Sequence, residues 1–162
     1  MACDAISRQY DVDHDTVIFK KLEQTKRYDQ GTITFRARKG KLIDLDKMHE
    51  SIWATRLSGG TRSGLVNLIV TTIGTVESGA SATDDSKPVL QVAGSDRVFT
   101  LSQHSDEKHA AIFRDLQQSV ASGKQVRVTG QIDEYVGRWP DVLRKRPANP
   151  RRILVTSFEV VE

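Results

Sequence analysis

Four histidines are the side chains whose spacing bears first on catalysis or metal binding in this 162-residue sequence. His104 and His109 flank the start of a predicted helix, and a separation of five does not place both rings on one helical face. His14 lies in the acidic run DVDHD, whose carboxylates suit loose binding of a divalent cation. No Ser, His and Asp arrangement indicates a nucleophilic triad. We therefore expect no catalytic residue and no enzyme, and a metal-handling protein is the weakest functional alternative.

Two further sequence features bear on site chemistry, but neither indicates a functional site. The run GGTRSG at 59–64 holds three glycines, but it lacks the phosphate-loop pattern and does not lead from a strand into a helix, so it predicts a connector between two halves. The chain has one cysteine, Cys3, which excludes an internal disulfide and a cysteine-paired zinc site within one chain. We expect no cofactor and no metal centre.

Basic residues and aromatic rings cluster near the C terminus. Residues 138–152 hold six basic residues and one acidic residue, a net charge of +5. Basic groups bind phosphates or acidic partners, and aromatic rings stack on bases. The predicted ligand-binding residues are Tyr135, Arg138, Trp139, Arg144, Lys145, Arg146, Arg151 and Arg152. In the alternative interpretation, Trp139 and Pro140 hold a long loop against the protein while the arginines stay solvated.

The elements that must position this cluster are five predicted strands and a helix. Four of the strands are PVLQVAG, DRVFTLS, QVRVTGQID and RILVTSFEVV, and the first is the long run from Leu65, in which Gly74 predicts a bulge or a sharp bend. Ser105 is the predicted cap of the helix, whose apolar stripe is Ile112, Phe113, Leu116 and Val120. The order of three strands, one helix and two strands is that of the oligonucleotide/oligosaccharide-binding (OB) fold. The basic cluster then falls in the loop between the fourth and fifth strands, one of two loops through which OB folds contact ligands.

The first half of the chain predicts a hairpin and a helix. The runs TVIFKKLE at 16–23 and GTITFRAR at 31–38 are strand-like, and Ile33 and Phe35 alternate with polar neighbours. Asp44 is placed to cap a helix in which Leu45, Met48 and Ile52 recur at helical spacing. We expect His49 at the surface of that helix.

The segment GTITFRARKGKLIDLDKMHESI at 31–52, followed by the strand around VNLIVTT, resembles the second half of a heavy-metal-associated, ferredoxin-like domain. Bacterial envelope proteins that place such a domain before a small β-barrel look similar to the whole chain. The family's metal loop is a CxxC pair between its first strand and first helix, and this sequence has no CxxC. The resemblance therefore implies a metal-binding scaffold without its site, used for packing or partner contact.

These patterns together predict an α+β protein in three parts. The parts are an acidic N-terminal segment at 1–15, a split ferredoxin-like αβ half at 16–62, and a five-stranded OB-like β-barrel at 63–162 with one helix between its third and fourth strands.

The start of the sequence bears on localisation. It lacks the apolar stretch of a secretory signal, and no apolar run reaches the length of a membrane helix, so we expect a cytoplasmic protein without a transmembrane segment. In the alternative, Met1-Ala2-Cys3-Asp4 is similar to the end of a bacterial lipoprotein signal, and Cys3 is a lipid-anchored residue of an envelope protein.

On these grounds we expect a non-catalytic binding module that contacts a protein or envelope partner through the basic loop at 133–152. A single-stranded nucleic-acid-binding protein is the alternative. Against that alternative, the second and third barrel strands offer only Phe99 as a stacking surface, and Asp84 and Asp85 in the other ligand loop repel phosphates.

Overall fold

The alternating, β-branched runs of the sequence form strands in the computed structural model, which describes residues 11–21, 31–56, 60, 62–77, 87–120, 124–145 and 151–161. The chain divides into two units, Met1–Gly64 and Leu65–Glu162. Helices and strands are both present, and the strands of the second unit close into a barrel, so the predicted α+β class with a barrel is confirmed.

A two-stranded antiparallel sheet opens the first unit. Strand β1 spans Val12–Lys21 and pairs with β2, Gly31–Ala37. Ile33 and Phe35 are half-buried while their polar neighbours are exposed, as the alternation predicted. Because β1 begins at Val12, residues 12–15 of the predicted acidic segment belong to this strand.

Helix α1, Leu45–Ala54, follows the sheet. The Asp44 carboxylate accepts a hydrogen bond from the Lys47 backbone N–H (3.1 Å), so the predicted cap is confirmed. The expectation that His49 is exposed is wrong, since its side chain is 1% exposed. The physical reason is that position 49 lies four residues after 45 and three before 52, which completes the buried stripe. That stripe consists of Leu45, Met48, His49 and Ile52.

The described residues of the first unit thus hold one two-stranded sheet, one helix and a single β-bridge between Arg56 and Arg62. Two strands and a helix occur in many α+β arrangements. The ferredoxin-like interpretation of this half therefore stays a prediction.

Five strands of the second unit close into a barrel in the order β3-β4-β5-β7-β6. Neighbouring strands are antiparallel except β5 and β7, which are parallel. Helix α2, Glu107–Val120, lies between β5 and β6 and packs against β7 and β5. The number of strands and the place of this helix fit an OB-like barrel. The strands are β3 Ile69–Glu77, β4 Val89–Val92, β5 Val98–Gln103, β6 Gln125–Gln131 and β7 Arg151–Val160.

Inward side chains from all five strands fill the barrel, including Leu90, Leu101, Val128, Ile153 and Val155, each fully buried. Phe99 is 5% exposed and belongs to this interior, so its ring presents no stacking surface to a ligand.

Gly74 is the point at which β3 is shared, because it pairs with Val92 of β4 and with Val126 of β6. A Cβ atom at this position would overlap the carbonyl oxygen of Gln91, so only glycine permits the approach. The sequence predicted a bulge or a sharp bend at Gly74; the structure has no bulge there, since the register of β3 with β6 continues through Gly74. The irregularity lies instead between β6 and β7, at positions 129 and 130.

The start of α2 corrects another expectation. The Asp106 carboxylate accepts a hydrogen bond from the Lys108 N–H (3.1 Å), and the Asp106 carbonyl accepts one from Ala110 (3.1 Å). Asp106, rather than Ser105, is therefore the cap. No helix in the described ranges combines the length and apolarity required to cross a membrane.

Candidate functional site

The segment between β6 and β7 carries two short helical turns where the sequence predicted a loop. A 3-10 helix spans Asp133–Tyr135, and helix α3 spans Pro140–Arg144. Proline suits the first turn of α3 because that N–H has no intrahelical partner. Gly137, with φ of 62°, changes the chain direction between the two turns. Residues 146–150, and with them the predicted ligand residue Arg146, lie outside the described residues.

Tyr135 anchors the beginning of this segment. Its side chain is fully buried, and the Arg151 guanidinium carbon lies 5.4 Å from the centroid of its ring. Arg151 itself is only 4% exposed. This geometry is a cation–π contact within the barrel wall. Both residues were predicted to bind a ligand, and the structure places neither where a base or a phosphate reaches it.

A second anchor joins the 3-10 helix to the start of β7. The Arg152 Nη2 atom donates to the Asp133 carboxylate (2.7 Å), and the Arg152 backbone N–H donates to the Glu134 carboxylate (2.7 Å). The prediction that Arg151 and Arg152 lie in the loop is wrong, because they are the first two residues of β7. The charge of Arg152 is paired with the Asp133 carboxylate, and both side chains are partly exposed.

The residues just before β3 also form hydrogen bonds with the segment between β6 and β7. The Ile132 N–H donates to the Leu68 carbonyl (2.9 Å), and the Gly137 N–H donates to the Leu65 carbonyl (3.3 Å). Backbone bonds at both ends of residues 132–137 therefore fix the position of α3.

Helix α3 buries one side chain and exposes its neighbour. Leu143 is 4% exposed, whereas Val142 is 43% exposed. Trp139, the N-cap residue of α3, is 51% exposed. The alternative in which Trp139 holds the loop down therefore assigns that role to the wrong residue, since Tyr135 and Leu143 are the buried ones.

Exposed basic side chains lie next to these apolar groups in the sequence. Arg138 and Lys145 are exposed, and Arg144 forms a 3.0 Å ion pair with Asp141 in which both side chains are mostly exposed. We call the exposed set the Trp139 patch, and it consists of Arg138, Trp139, Val142, Arg144 and Lys145.

Two more exposed apolar side chains lie on the chain beside this segment. Val66 is 67% exposed and lies between Leu65 and Leu68, whose carbonyls bind residues 137 and 132. Ile69 is 62% exposed and pairs with Gln131 at the end of β6. Among the described residues of the second unit, four of the five exposed large hydrophobic side chains lie on the β6–β7 segment or on the chain that pairs with its start, and Val160 is the fifth.

The histidines at the start of α2 meet, contrary to the expectation from their spacing. The rings of His104 and His109 lie 5.0 Å apart, edge to face. His104 Nδ1 accepts from the Asp106 N–H (3.1 Å), and the Asp106 carboxylate lies 3.1 Å from His109 Nδ1. Position 104 precedes the helix, so helical periodicity does not govern its direction. These contacts order the helix cap.

Metal ligands are not gathered within the described residues, where no group of three or more His, Cys, Asp or Glu side chains is arranged to hold an ion. His14 lies on β1 and is exposed, and the Asp15 N–H donates to the Asp13 carboxylate (3.3 Å). Cys3 lies outside the described residues.

The comparisons with known proteins leave the family open. No protein-family model matches the chain, and neither a curated protein nor a solved structure matches it.

Sequence reasoning missed two parts of this site. The sequence analysis did not identify the exposed apolar residues Val66, Ile69 and Val142, because an exposed aliphatic residue cannot be distinguished from a core residue by its type alone. The carboxylates of Asp133 and Glu134 were also overlooked as partners of Arg152, since a pairing across 18 residues leaves no local signal.

Proposed function

We propose that this protein is a non-catalytic binding module of the OB-like class that contacts a protein or envelope partner through the Trp139 patch. The observation that carries the proposal is the exposure of Trp139 and Val142 on a segment held in place by the buried Tyr135 and Leu143. A rigid support lowers the entropy lost when the exposed groups engage a partner.

The composition of the patch supports a protein partner. Tryptophan and arginine are the residue types that most often dominate the energy of protein interfaces. Polar and charged groups around an apolar centre are typical of such surfaces. Arg138 and Lys145 supply this charged border to Trp139 and Val142.

The burial of Tyr135 and Phe99 weighs against the nucleic-acid alternative. Single-strand binding uses several aromatic faces on which successive bases stack. Of the aromatic residues that the sequence singled out, Trp139 alone remains exposed. Of the predicted phosphate contacts, Arg151 is buried, and the partly exposed Arg152 is already paired with Asp133.

The test is a selection of phage-displayed random peptides on three forms of the full chain. The wild type is compared with Trp139→Ser/Val142→Ser, which removes the apolar centre, and with Val160→Ser. Val160 is 38% exposed at the opposite end of β7, so its substitution removes exposed apolar surface away from the patch. Urea unfolding of each form establishes that it is folded.

Peptides that are enriched on the wild type and on Val160→Ser, but lost on the double variant, support the proposal. Peptides retained by the double variant, or an absence of enriched peptides on the wild type, contradict it. If labelled oligothymidylate binds the wild type and the double variant abolishes this binding, the result supports the nucleic-acid alternative for the patch.

A further inference from the structure

We infer that the partner segment recognised by the Trp139 patch is an acidic amphipathic peptide, one that presents carboxylates beside aliphatic or aromatic side chains. This inference rests on the proposed function and adds the chemical class of the partner.

Charge complementarity supplies the first argument. Residues 137–145 carry three basic side chains and one acidic one, a net charge of +2. Arg138 and Lys145 form no ion pair with any described residue, and both are exposed. Carboxylates of a partner therefore meet cations at both ends of α3.

The ion pair between Arg144 and Asp141 supplies the second argument. The Arg144 and Asp141 side chains are 62% and 81% exposed, and exposed pairs of this kind contribute little to stability. The pair with Asp141 therefore presents only a small barrier to an incoming carboxylate at Arg144. A planar guanidinium binds a carboxylate through two parallel hydrogen bonds, which fixes the orientation of the partner.

The apolar part of the surface supplies the third argument. Val142 of the patch is aliphatic, branched and exposed, and it offers no π face to a base. Aliphatic side chains gain free energy when they are buried against other apolar side chains. Trp139 extends this surface and adds a large flat area. An amphipathic peptide satisfies both the apolar and the basic parts, whereas a nucleic acid satisfies the basic part and Trp139 alone.

Asp141 affects which anionic ligands the same surface accepts. Its carboxylate is 81% exposed beside the patch and repels a continuous line of phosphates. A peptide places its acidic groups at discrete positions and avoids this carboxylate. The arrangement thus favours spaced carboxylates over a uniformly charged backbone.

The experiment uses fluorescence anisotropy with four labelled probes on the full chain. The first is an amphipathic helical peptide of Leu and Glu, about 14 residues or four turns long. In the second and third, Gln and Lys replace Glu, and the fourth is oligothymidylate. Each is titrated at low salt and at about 0.15 M salt, where the screening length is about 8 Å.

Two charge-matched variants separate the patch from the net charge of the protein. Arg138→Glu/Lys145→Glu reverses two cations of the patch, and Arg114→Glu/Lys124→Glu reverses two exposed cations elsewhere in the same unit. We expect the Glu peptide to bind, and its Kd to rise at least tenfold in the patch variant and less than twofold in the control variant. We also expect weaker binding at the higher salt and weaker binding of the Gln and Lys peptides.

The inference is overturned if the Gln or Lys peptide binds as tightly as the Glu peptide, if both charge variants weaken binding equally, or if the Glu peptide does not bind. If the selected peptides depend on Trp139 and Val142 and yet carry no acidic residues, that result would refute the inference of an acidic partner, while the proposed binding function would stand. Oligothymidylate that binds more tightly than the Glu peptide, with the same dependence on the patch, would overturn both.

Discussion

Substitution of two adjacent residues of α3 is expected to separate the support of the patch from its binding surface. Leu143 is 4% exposed and Val142 is 43% exposed. Leu143→Ala should lower the free energy of unfolding of the second unit, whereas Val142→Ala should leave it nearly unchanged and weaken partner binding.

The magnitude follows from burial. Buried Leu→Ala substitutions cost about 2–5 kcal/mol, which includes the cavity left behind. Leu143 belongs to a helix of five residues that can relax toward the barrel, so we expect the lower end, about 2–3 kcal/mol. Substitution of the half-exposed Val142 should change stability by less than about 0.5 kcal/mol, because little apolar surface returns to water.

The assay is urea unfolding followed by tryptophan emission. The chain has two tryptophans, so a Trp53→Phe background leaves Trp139 as the reporter of the second unit. A loss below about 0.5 kcal/mol for Leu143→Ala, or equal losses for the two variants, would refute the assignment of Leu143 as the anchor and Val142 as surface.

Three other substitutions test the fold. Gly74→Ala should destabilise the barrel by several kcal/mol or prevent folding, because the new methyl group overlaps the Gln91 carbonyl; circular dichroism and urea unfolding measure this. Trp53→Phe removes the 2.8 Å hydrogen bond from the indole N–H to Nε2 of the buried His49, and it should cost the first unit about 1–3 kcal/mol in thermal unfolding. Asp106→Ala removes the cap of α2 and should cost about 1 kcal/mol in urea unfolding of the second unit.

Each of these predictions has a matched control. Gly64→Ala should be tolerated, since its Cβ would lie 3.8 Å from Trp53 and its φ is not positive. Trp139→Phe should lower thermal stability less than Trp53→Phe, because Trp139 is half-exposed. Ser105→Ala should not affect α2. If a control substitution lowers stability as much as the test substitution it is paired with, the role given to the tested residue is contradicted.

The barrel was largely predictable because its strands carry a local signal. The runs PVLQVAG and DRVFTLS were predicted as strands, and in the structure Leu90, Val92, Phe99 and Leu101 are buried and alternate with half-buried positions. The glycine in β3 marked a special position, although it serves the close approach of Gln91 rather than a bulge.

The candidate site was less predictable because its geometry depends on contacts between distant residues. Tyr135 and Arg151 look like ligand-binding residues in a sequence, and only the fold brings the cation over the ring inside the barrel wall. Arg152 also looks like a ligand-binding residue in the sequence, and only the fold brings its guanidinium to the Asp133 carboxylate. Trp139 and Arg138 were predicted as ligand-binding residues of a loop, and the structure exposes both, while their role in binding stays a prediction.

The most direct test of the account is the emission of Trp139 during titration with a peptide selected on the wild type, in the Trp53→Phe background. Binding through the patch should transfer the half-exposed indole from water to an apolar contact. The account predicts a blue shift that saturates at the same peptide concentration as the anisotropy signal. Saturating anisotropy with unchanged Trp139 emission would place the binding surface elsewhere and contradict the central claim.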